Sequence, residues 1–326
     1  MKKFFSLGLF ASAKAGLFED WTAEHWKSYE TAEDEKFRKG VFEENVAKIE
    51  KINKENRSWT AGLNKFSDLT WDEFQHFYLM QAGQDCSATS YNSKEYLAKG
   101  VEQPMPTSWD WRKDNKVSPV KDQGQCGSCW TFSTTGNVEA GEAIHLNEYH
   151  TLSEQQLVDC AGAFNNHGCN GGLPSQAFEY IAAAPGIMTE ADYPYTAKDG
   201  NCVFDQKKAA VHVYGSVNIT RGDEVEMAEA MVMYQPISIA FEVVDDFMHY
   251  KSGTYSSKDC KGSPTDVNHA VLAVGFGTDG AGTDFWTVKN SWSKDWGNQG
   301  YFNIQRGVNM CGLSQCTSFA LIKPDN

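Results

Sequence analysis

The chain has 326 residues, 41% hydrophobic and 22% charged, which is ordinary globular composition with room for two core-forming units or one large unit and an appendage. A formal net charge of −14 and a pI near 5.0 exclude nucleic acid as the main partner, because a phosphate backbone asks for a basic surface, and suit work at low pH. Nine cysteines fit an oxidising compartment, and their odd number leaves one thiol without a partner.

Lys2 and Lys3 precede an apolar run from Phe4 to Ala11, and Ala11-Ser12-Ala13 has small-residue cleavage spacing. Residues 1–15 therefore read as a short export signal, the plain alternative being a frayed N-terminus, and the run is too short to span a membrane as a helix. Residues 16–80 are dense in Lys and Glu and hold no Cys; Phe42, Asn45, Ile49 and Ile52 fall on one helix face, which predicts an amphipathic helix packed on a neighbour. Residues 81–108 have the texture of a linker, with a lone Cys86 inside it. From Trp109 onward the chain is rich in aromatics and Gly. Thr131 to Leu146 predicts a helix whose Gly136, Ala140, Gly141 and Ala143 allow close packing, and Ser153 before Glu154-Gln155-Gln156 predicts a capping-box start for a helix reaching Val158. Val271–Val274 and Phe285–Val288 read as strands. Asn56-Arg57-Ser58 and Asn218-Ile219-Thr220 are glycosylation acceptor patterns, Asn218 being favoured because it lies in the later part of the chain.

The chemistry concentrates in Gln123-Gly124-Gln125-Cys126-Gly127-Ser128-Cys129-Trp130. With a helix beginning just beyond, Cys129 sits at a helix N-terminus, where the dipole and free N–H groups favour the reactive thiolate. Cys126 and Cys129 also form C-x-x-C, the spacing of thiol oxidoreductases, but no early strand and βαβ pattern surrounds it. A thiol nucleophile needs a base and a group to orient that base. Far downstream, His269 in Val267-Asn268-His269-Ala270-Val271 and Asn290 in Lys289-Asn290-Ser291-Trp292 supply both. The other seven histidines show no ligand spacing, so no metal or cofactor is expected.

With these strings in view, the region from about Pro106 to the C-terminus resembles the papain family of cysteine proteases. The resemblance implies an α+β, two-lobed fold: a helical lobe carrying Cys129 and a β-barrel-like lobe carrying His269 and Asn290, with the cleft between. It implies that Cys129 attacks the peptide carbonyl and that His269 pairs with it and protonates the leaving amine. Asn290 holds the imidazole, Trp292 shields that bond from water, and Gln123 with the Cys129 N–H receives the oxyanion. Gly168-Cys169-Asn170-Gly171-Gly172 matches the family's substrate-edge segment, where Gly171 and Gly172 let an extended peptide approach the backbone. Ser293 stands where the family usually has Gly, so strain or a shifted loop is expected if that position needs φ > 0.

Asp34, Arg38, Phe42, Asn45, Ile49 and Asn53, followed by Gly62-Leu63-Asn64-Lys65-Phe66-Ser67-Asp68, resemble the family's inhibitory propeptide. The implied organisation is a signal over 1–15, a helical inhibitory propeptide over 16–105 and a peptidase domain over 106–326. The family pattern implies disulfides Cys126–Cys169, Cys160–Cys202 and Cys260–Cys311, leaving Cys86 and Cys316. That remainder resembles the cathepsin H group, in which an octapeptide of the propeptide, here Ala82 to Thr89, stays disulfide-bonded to the mature enzyme. Its new carboxylate on Thr89 would pair with a substrate's α-amino group and make the cleft an aminopeptidase. Asp85 stands where the related mini-chain has a glycosylated Asn, so that sugar is absent. Expected partners are peptide and protein substrates, the chain's own propeptide and cystatin-like inhibitors, with no nucleic acid and no membrane; a monomer in a lysosome or equivalent acidic vacuole, or secreted, fits this reading. The competing readings are a cathepsin L-like endopeptidase, a C-x-x-C thiol oxidoreductase and a catalytically silent binding or storage protein.

Overall fold

The protein is described here from a computed structural model, which places residues 16–81, 84–86, 93–97 and 104–322. The export-signal reading of residues 1–15 and the Thr89 end of the mini-chain lie outside the described residues.

The front of the chain folds as α1 (Leu17–Glu24), α2 (Ala32–Lys54), strand β1 (Trp59–Ala61) and α3 (Trp71–Tyr78). Thr31 caps α2 by accepting from the Asp34 N–H at 3.1 Å; acids fill its first turn and Lys51 and Lys54 its last, in the sense that the helix dipole favours. The face predicted from spacing is the buried one: Phe42, Asn45, Ile49 and Ile52 turn inward, and Phe42 closes a small core with Phe18 and Trp21 of α1. Asn45 earns its buried place among apolar neighbours through its amide, which donates to the carbonyls of Ser67 and Leu69 at 3.0 Å each. A capping box between Thr70 and Glu73 starts α3, and Arg38 from α2 pairs with the same Glu73 at 2.8 Å.

The peptidase part begins with β2 (Trp109–Asp110), followed by the central helix α4 (Cys129–His145), α5 (Glu154–Cys160) and α6 (Pro174–Ala183). Next come β3 (Ile187–Met188), β4 (Ala209–Val211), β5 (Val213–Asn218), α7 (Glu224–Met233) and β6 (Ile237–Phe241). The chain ends in β7 (Tyr250–Tyr255), β8 (His269–Thr278), β9 (Asp284–Lys289), β10 (Tyr301–Gln305) and β11 (Ser318–Ile322). Nearly all of α4 is buried, as its small residues predicted, and it packs on β8 and β11. Both predicted strands lie inside β8 and β9. Ser153 does cap α5, accepting from the Gln156 N–H at 3.0 Å, but the return half of the box is missing. The Gln156 amide is drawn instead to Tyr180 Oη, the Gly186 carbonyl and the Met188 N–H, which satisfy a buried side chain better than the helix end does.

The main sheet runs β1-β7-β10-β9-β8-β6-β11-β5, with β2 on β8. Its first strand belongs to the propeptide region: β1 pairs antiparallel with β7, Trp59 opposite Gly253. A Cβ on Gly253 would lie 2.5 Å from the Ser58 carbonyl oxygen, so this docking needs a glycine. Trp59, Phe66, Phe74 and Tyr78 then join one aromatic core with Phe247, Tyr250, Trp292 and Trp296. A second core, including Cys129, Trp130 and Phe178, fills the helical lobe.

Four disulfides join Cys86–Cys316, Cys126–Cys169, Cys160–Cys202 and Cys260–Cys311, and Cys129 is free. Of the two glycosylation acceptor positions, Asn218 lies in β5, mostly buried and paired with β11, and Asn56 is exposed in a positive-φ turn after α2.

Candidate active site

Cys129 is the first residue of α4, and its Sγ accepts from the Ala270 N–H at 3.3 Å. Ala270 follows His269 at the start of β8, so the central helix and the sheet meet at this pair. His269 is fully buried. Its Nε2 lies 2.8 Å from Asn290 Oδ1, and its ring stacks on Trp292 with centroids 4.5 Å apart. The Ser291 N–H also donates to Asn290 Oδ1 at 2.8 Å, which identifies that atom as the oxygen. Nε2 must then carry the ring proton, and Nδ1 is left as a bare lone pair with no hydrogen-bond partner among the described residues. This is the tautomer a base needs in order to take a proton.

Gln123 is fixed at both ends. Its N–H donates to the Ser291 carbonyl at 2.9 Å, and the Ser291 hydroxyl donates to its Oε1 at 2.7 Å. The side-chain Nε2 therefore points away from Ser291 and donates to the carbonyls of Cys126 at 2.8 Å and Tyr78 at 2.9 Å. Tyr78 belongs to α3 of the propeptide region, so one donor of Gln123 is engaged by the chain's own front segment. That segment continues through the site. The Met80 N–H donates to the Asn268 carbonyl and the Gln81 N–H to the Asn170 carbonyl, each at 2.9 Å. Gly171 has φ +126 and faces Met80, whose Cβ is 2.9 Å from where a Gly171 Cβ would stand; Gly172 instead packs under the Trp130 ring.

Burial dominates the electrostatics. It pushes the Cys129 thiol up to about 12, against the opposing pull of the Ala270 N–H and the helix start. It pushes His269 down to about 4, with the Asn290 bond acting the other way. The covered pair is thus neutral, thiol and imidazole.

Two groups of residues lie outside the sequence reading. One is the plug Tyr78-Leu79-Met80, whose signal was an apolar run outlasting α3. The other is a buried charged layer behind the site: Lys121 pairs with Glu139 at 2.8 Å and Glu154 at 2.6 Å, and Lys289 donates to Ser118 Oγ at 2.9 Å. Lys121 and Lys289 neighbour the Gln123 and Asn290 segments in sequence, but nothing in the string marks them as buried. Ser293 has φ 71, so a side chain does occupy a left-handed backbone position; its Oγ takes the Asp295 N–H at 3.3 Å. Among the described residues one group has metal-ligand geometry, Glu142 in the last turn of α4 with Glu148 and His150 just after it, where His150 Nδ1 already pairs with Glu142.

Residues 105–321 match the profile of the papain family cysteine proteases, and residues 18–74 that of the cathepsin propeptide inhibitor domain (I29). "Pro-cathepsin H" of Mus musculus is 52% identical over 305 residues, covering 93% of this chain and 90% of that protein. "Thiol protease aleurain" of Arabidopsis thaliana is 51% identical over 305 residues, covering 94% of this chain and 84% of that protein. Among solved structures, a digestive procathepsin L2 proteinase from Tenebrio molitor larval midgut superposes with a TM-score of 0.87 at 36% identity, covering 94% of this chain and 99% of the other. With its helical and β lobes, its cleft and an inhibitory segment still lying in that cleft, the chain belongs to the papain family of cysteine proteases and is a zymogen of that family.

Proposed function

We propose that the mature enzyme is chiefly an aminopeptidase whose cleft is narrowed by a retained piece of its propeptide. The observation that carries this is the Cys86–Cys316 bond, which ties the propeptide side of the chain to the C-terminal segment of the peptidase domain. Cuts on either side of residues 82–89 would leave that octapeptide attached while 16–81 and 90–105 depart. Gln84 lies against Gly171, at the edge an extended substrate would use. A new carboxylate at Thr89 would meet a substrate's free α-ammonium group and exclude chains that extend further. The names of the relatives, pro-cathepsin H among them, support the same reading.

Once the cleft opens, water and the Cys129–His269 encounter replace the burial that keeps both neutral. The thiolate attacks the scissile carbonyl carbon. The resulting oxyanion takes hydrogen bonds from Gln123 Nε2, now released by Tyr78, and from the Cys129 N–H. His269 gives its Nδ1 proton to the departing amine, leaving a thioester on Cys129. It then draws a proton from water, whose attack frees the acid product and returns the thiol. Asn290 holds the ring in the required tautomer throughout, with Trp292 stacked over it. The same cleft would admit cystatin-like wedges. Four disulfides and an acidic pI suit a monomer of the lysosome or an acidic vacuole, reached by the secretory pathway, or a secreted one.

The test is hydrolysis by acid-activated enzyme of a free-amino dye amide and its N-blocked twin, with Cys129→Ala as control. Preference for the free amine, abolished in Cys129→Ala, is expected. Preference for the blocked substrate would return the cleft to an endopeptidase, and hydrolysis surviving in Cys129→Ala would remove the nucleophile assignment.

A further inference from the structure

We infer that the Tyr195 hydroxyl is a positioning group for the oxyanion site, holding its two donors at a fixed separation. Those donors come from different stretches of chain: Gln123 from a loop, and the Cys129 N–H from the start of α4. Tyr195 touches both supports. Its Oη donates to the Gln123 main-chain carbonyl at 2.7 Å, and Ser128 Oγ lies 2.6 Å from the same oxygen. The phenol proton is committed to the carbonyl, so the Ser128 hydroxyl is the donor in the second contact. The chain of bonds runs Ser128 O–H to Tyr195 O–H to Gln123 C=O.

Ser128 makes this arrangement unusual. It is the N-cap of α4, where a serine hydroxyl ordinarily accepts from the second or third helical N–H, yet it makes no such bond. Its hydroxyl turns outward to Tyr195. Ser128 reaches the first turn through its carbonyl, which takes the Thr131 N–H at 2.8 Å, while the N–H groups of Cys129 and Trp130 stay free of the cap's hydroxyl, on the helix end where the thiolate and the oxyanion develop. The Tyr195 ring is steadied edge-on against Phe132, one turn along α4, with centroids 5.0 Å apart, and its N–H is held by Glu190 Oε1 at 2.8 Å. Next to it, the Thr196 N–H and hydroxyl both bond Gln155 Oε1, at 2.8 and 2.9 Å, so the segment is anchored to α5 rather than free to follow the loop. Burial keeps the phenol protonated far above any working pH, so it remains a donor.

This inference rests on the proposed peptidase chemistry, and the test separates the two. Tyr195→Phe keeps the ring and removes both bonds. In the acid-activated enzyme it is expected to lower kcat on the preferred dye amide by about 10-fold or more with KM little changed, since a displaced donor loses transition-state rather than ground-state contact. Alkylation of Cys129 by iodoacetamide develops no oxyanion, so its rate should stay at the wild-type value, and the labelled fraction counts correctly folded sites. Ser128→Ala, which cuts the chain of bonds at its first link, should show a smaller fall of the same kind. In a Gln123→Ala background the Tyr195→Phe effect should largely disappear. Unchanged kcat, an equal fall in alkylation rate, or full additivity with Gln123→Ala would overturn the inference while leaving the nucleophile reading intact; a wild-type enzyme that hydrolyses neither substrate would remove both.

Discussion

The propeptide region should let go of the peptidase domain as pH falls, and His249 is one of two buried histidines, with His269, that set the range. His249 is fully buried with neither ring nitrogen hydrogen-bonded among the described residues, and burial pushes its pKa from the usual 6.5 down to about 4; Asp245 pulls upward and Lys48 downward. It lies where the front segment docks. The Gly62 N–H donates to the His249 carbonyl at 2.9 Å, the Asn64 amide to the Met248 carbonyl at 2.8 Å, and Lys48 pairs with Asp245 at 2.8 Å. A histidine held neutral in the docked state and free to charge in the open one binds more protons when open. Docking is therefore complete above about pH 6.5 and weakens progressively as pH falls toward 4. The ceiling on this effect is about 3 kcal/mol, of which about 2 kcal/mol is lost by pH 5, roughly 30-fold in the opening equilibrium. Asp246, which pairs with Arg57 at 2.6 Å, opposes it at the acid end: burial raises its pKa in the docked state, so its protonation favours docking. Hydrogen exchange of the Gly62 amide in a Cys129→Ala zymogen, which cannot process itself, measures the opening. Its protection factor, corrected for intrinsic exchange, should drop by at least about 20-fold from pH 7 to pH 5, and His249→Leu should remove about that factor, leaving the share of His269. Coincident profiles for the two proteins would refute the reasoning.

Three further outcomes follow from the geometry. Ser293→Gly should stabilise the protein by up to about 1 kcal/mol in a thermal melt and leave kcat unchanged, because φ 71 suits glycine and the bonds lost are two long, exposed ones to the Asp295 N–H and Oδ2, 3.3 Å each. Lys121→Met should cost about 3–5 kcal/mol in a urea melt, since it leaves Glu139 and Glu154 in a buried layer without the ammonium that pairs with both. In the zymogen at pH 7, iodoacetamide should label Cys129 about a thousandfold more slowly than an ordinary thiol, because a pKa of about 12 rather than 9.0 removes that much thiolate, and acid activation should abolish the difference.

The catalytic strings were legible because each is local: a cysteine at a helix start, a histidine at a strand start and an asparagine beside a tryptophan are placed by elements whose periodicity shows in a single pass. The buried face of α2 was legible for the same reason. The charged layer was not. Lys121, Glu139, Glu154 and Lys289 look like surface residues one at a time, and only their convergence from a loop, two helices and a strand lets a low-dielectric site hold them. The burial of Asn218 was not legible either. Its acceptor pattern is three residues long, while its burial depends on β11 about a hundred positions later. At Ser293 the sequence leaves open whether the position needs φ > 0, and the backbone shows that it does and that serine occupies it.

The plug shows why inhibition here needs no distortion of the catalytic residues. Tyr78 gives its carbonyl to Gln123 Nε2, so the donor proposed for the oxyanion is satisfied by a ground-state peptide. Leu79 and Met80 are buried, and Met80 shares an apolar cluster with Cys129 and Ala270. Excluding water from that cluster raises the thiol and lowers the imidazole, and each shift moves away from the charged pair. With Cys129 as the proposed nucleophile, the segment beside it meets a thiol instead of a thiolate, which favours its sitting in the cleft uncut. Removing one lock removes the other. Any opening that lets a substrate carbonyl displace Tyr78 also admits the water that allows Cys129 and His269 to exchange a proton. Occupancy and charge state are thus a single equilibrium, and a pH-driven loss of docking at His249 acts on both at once.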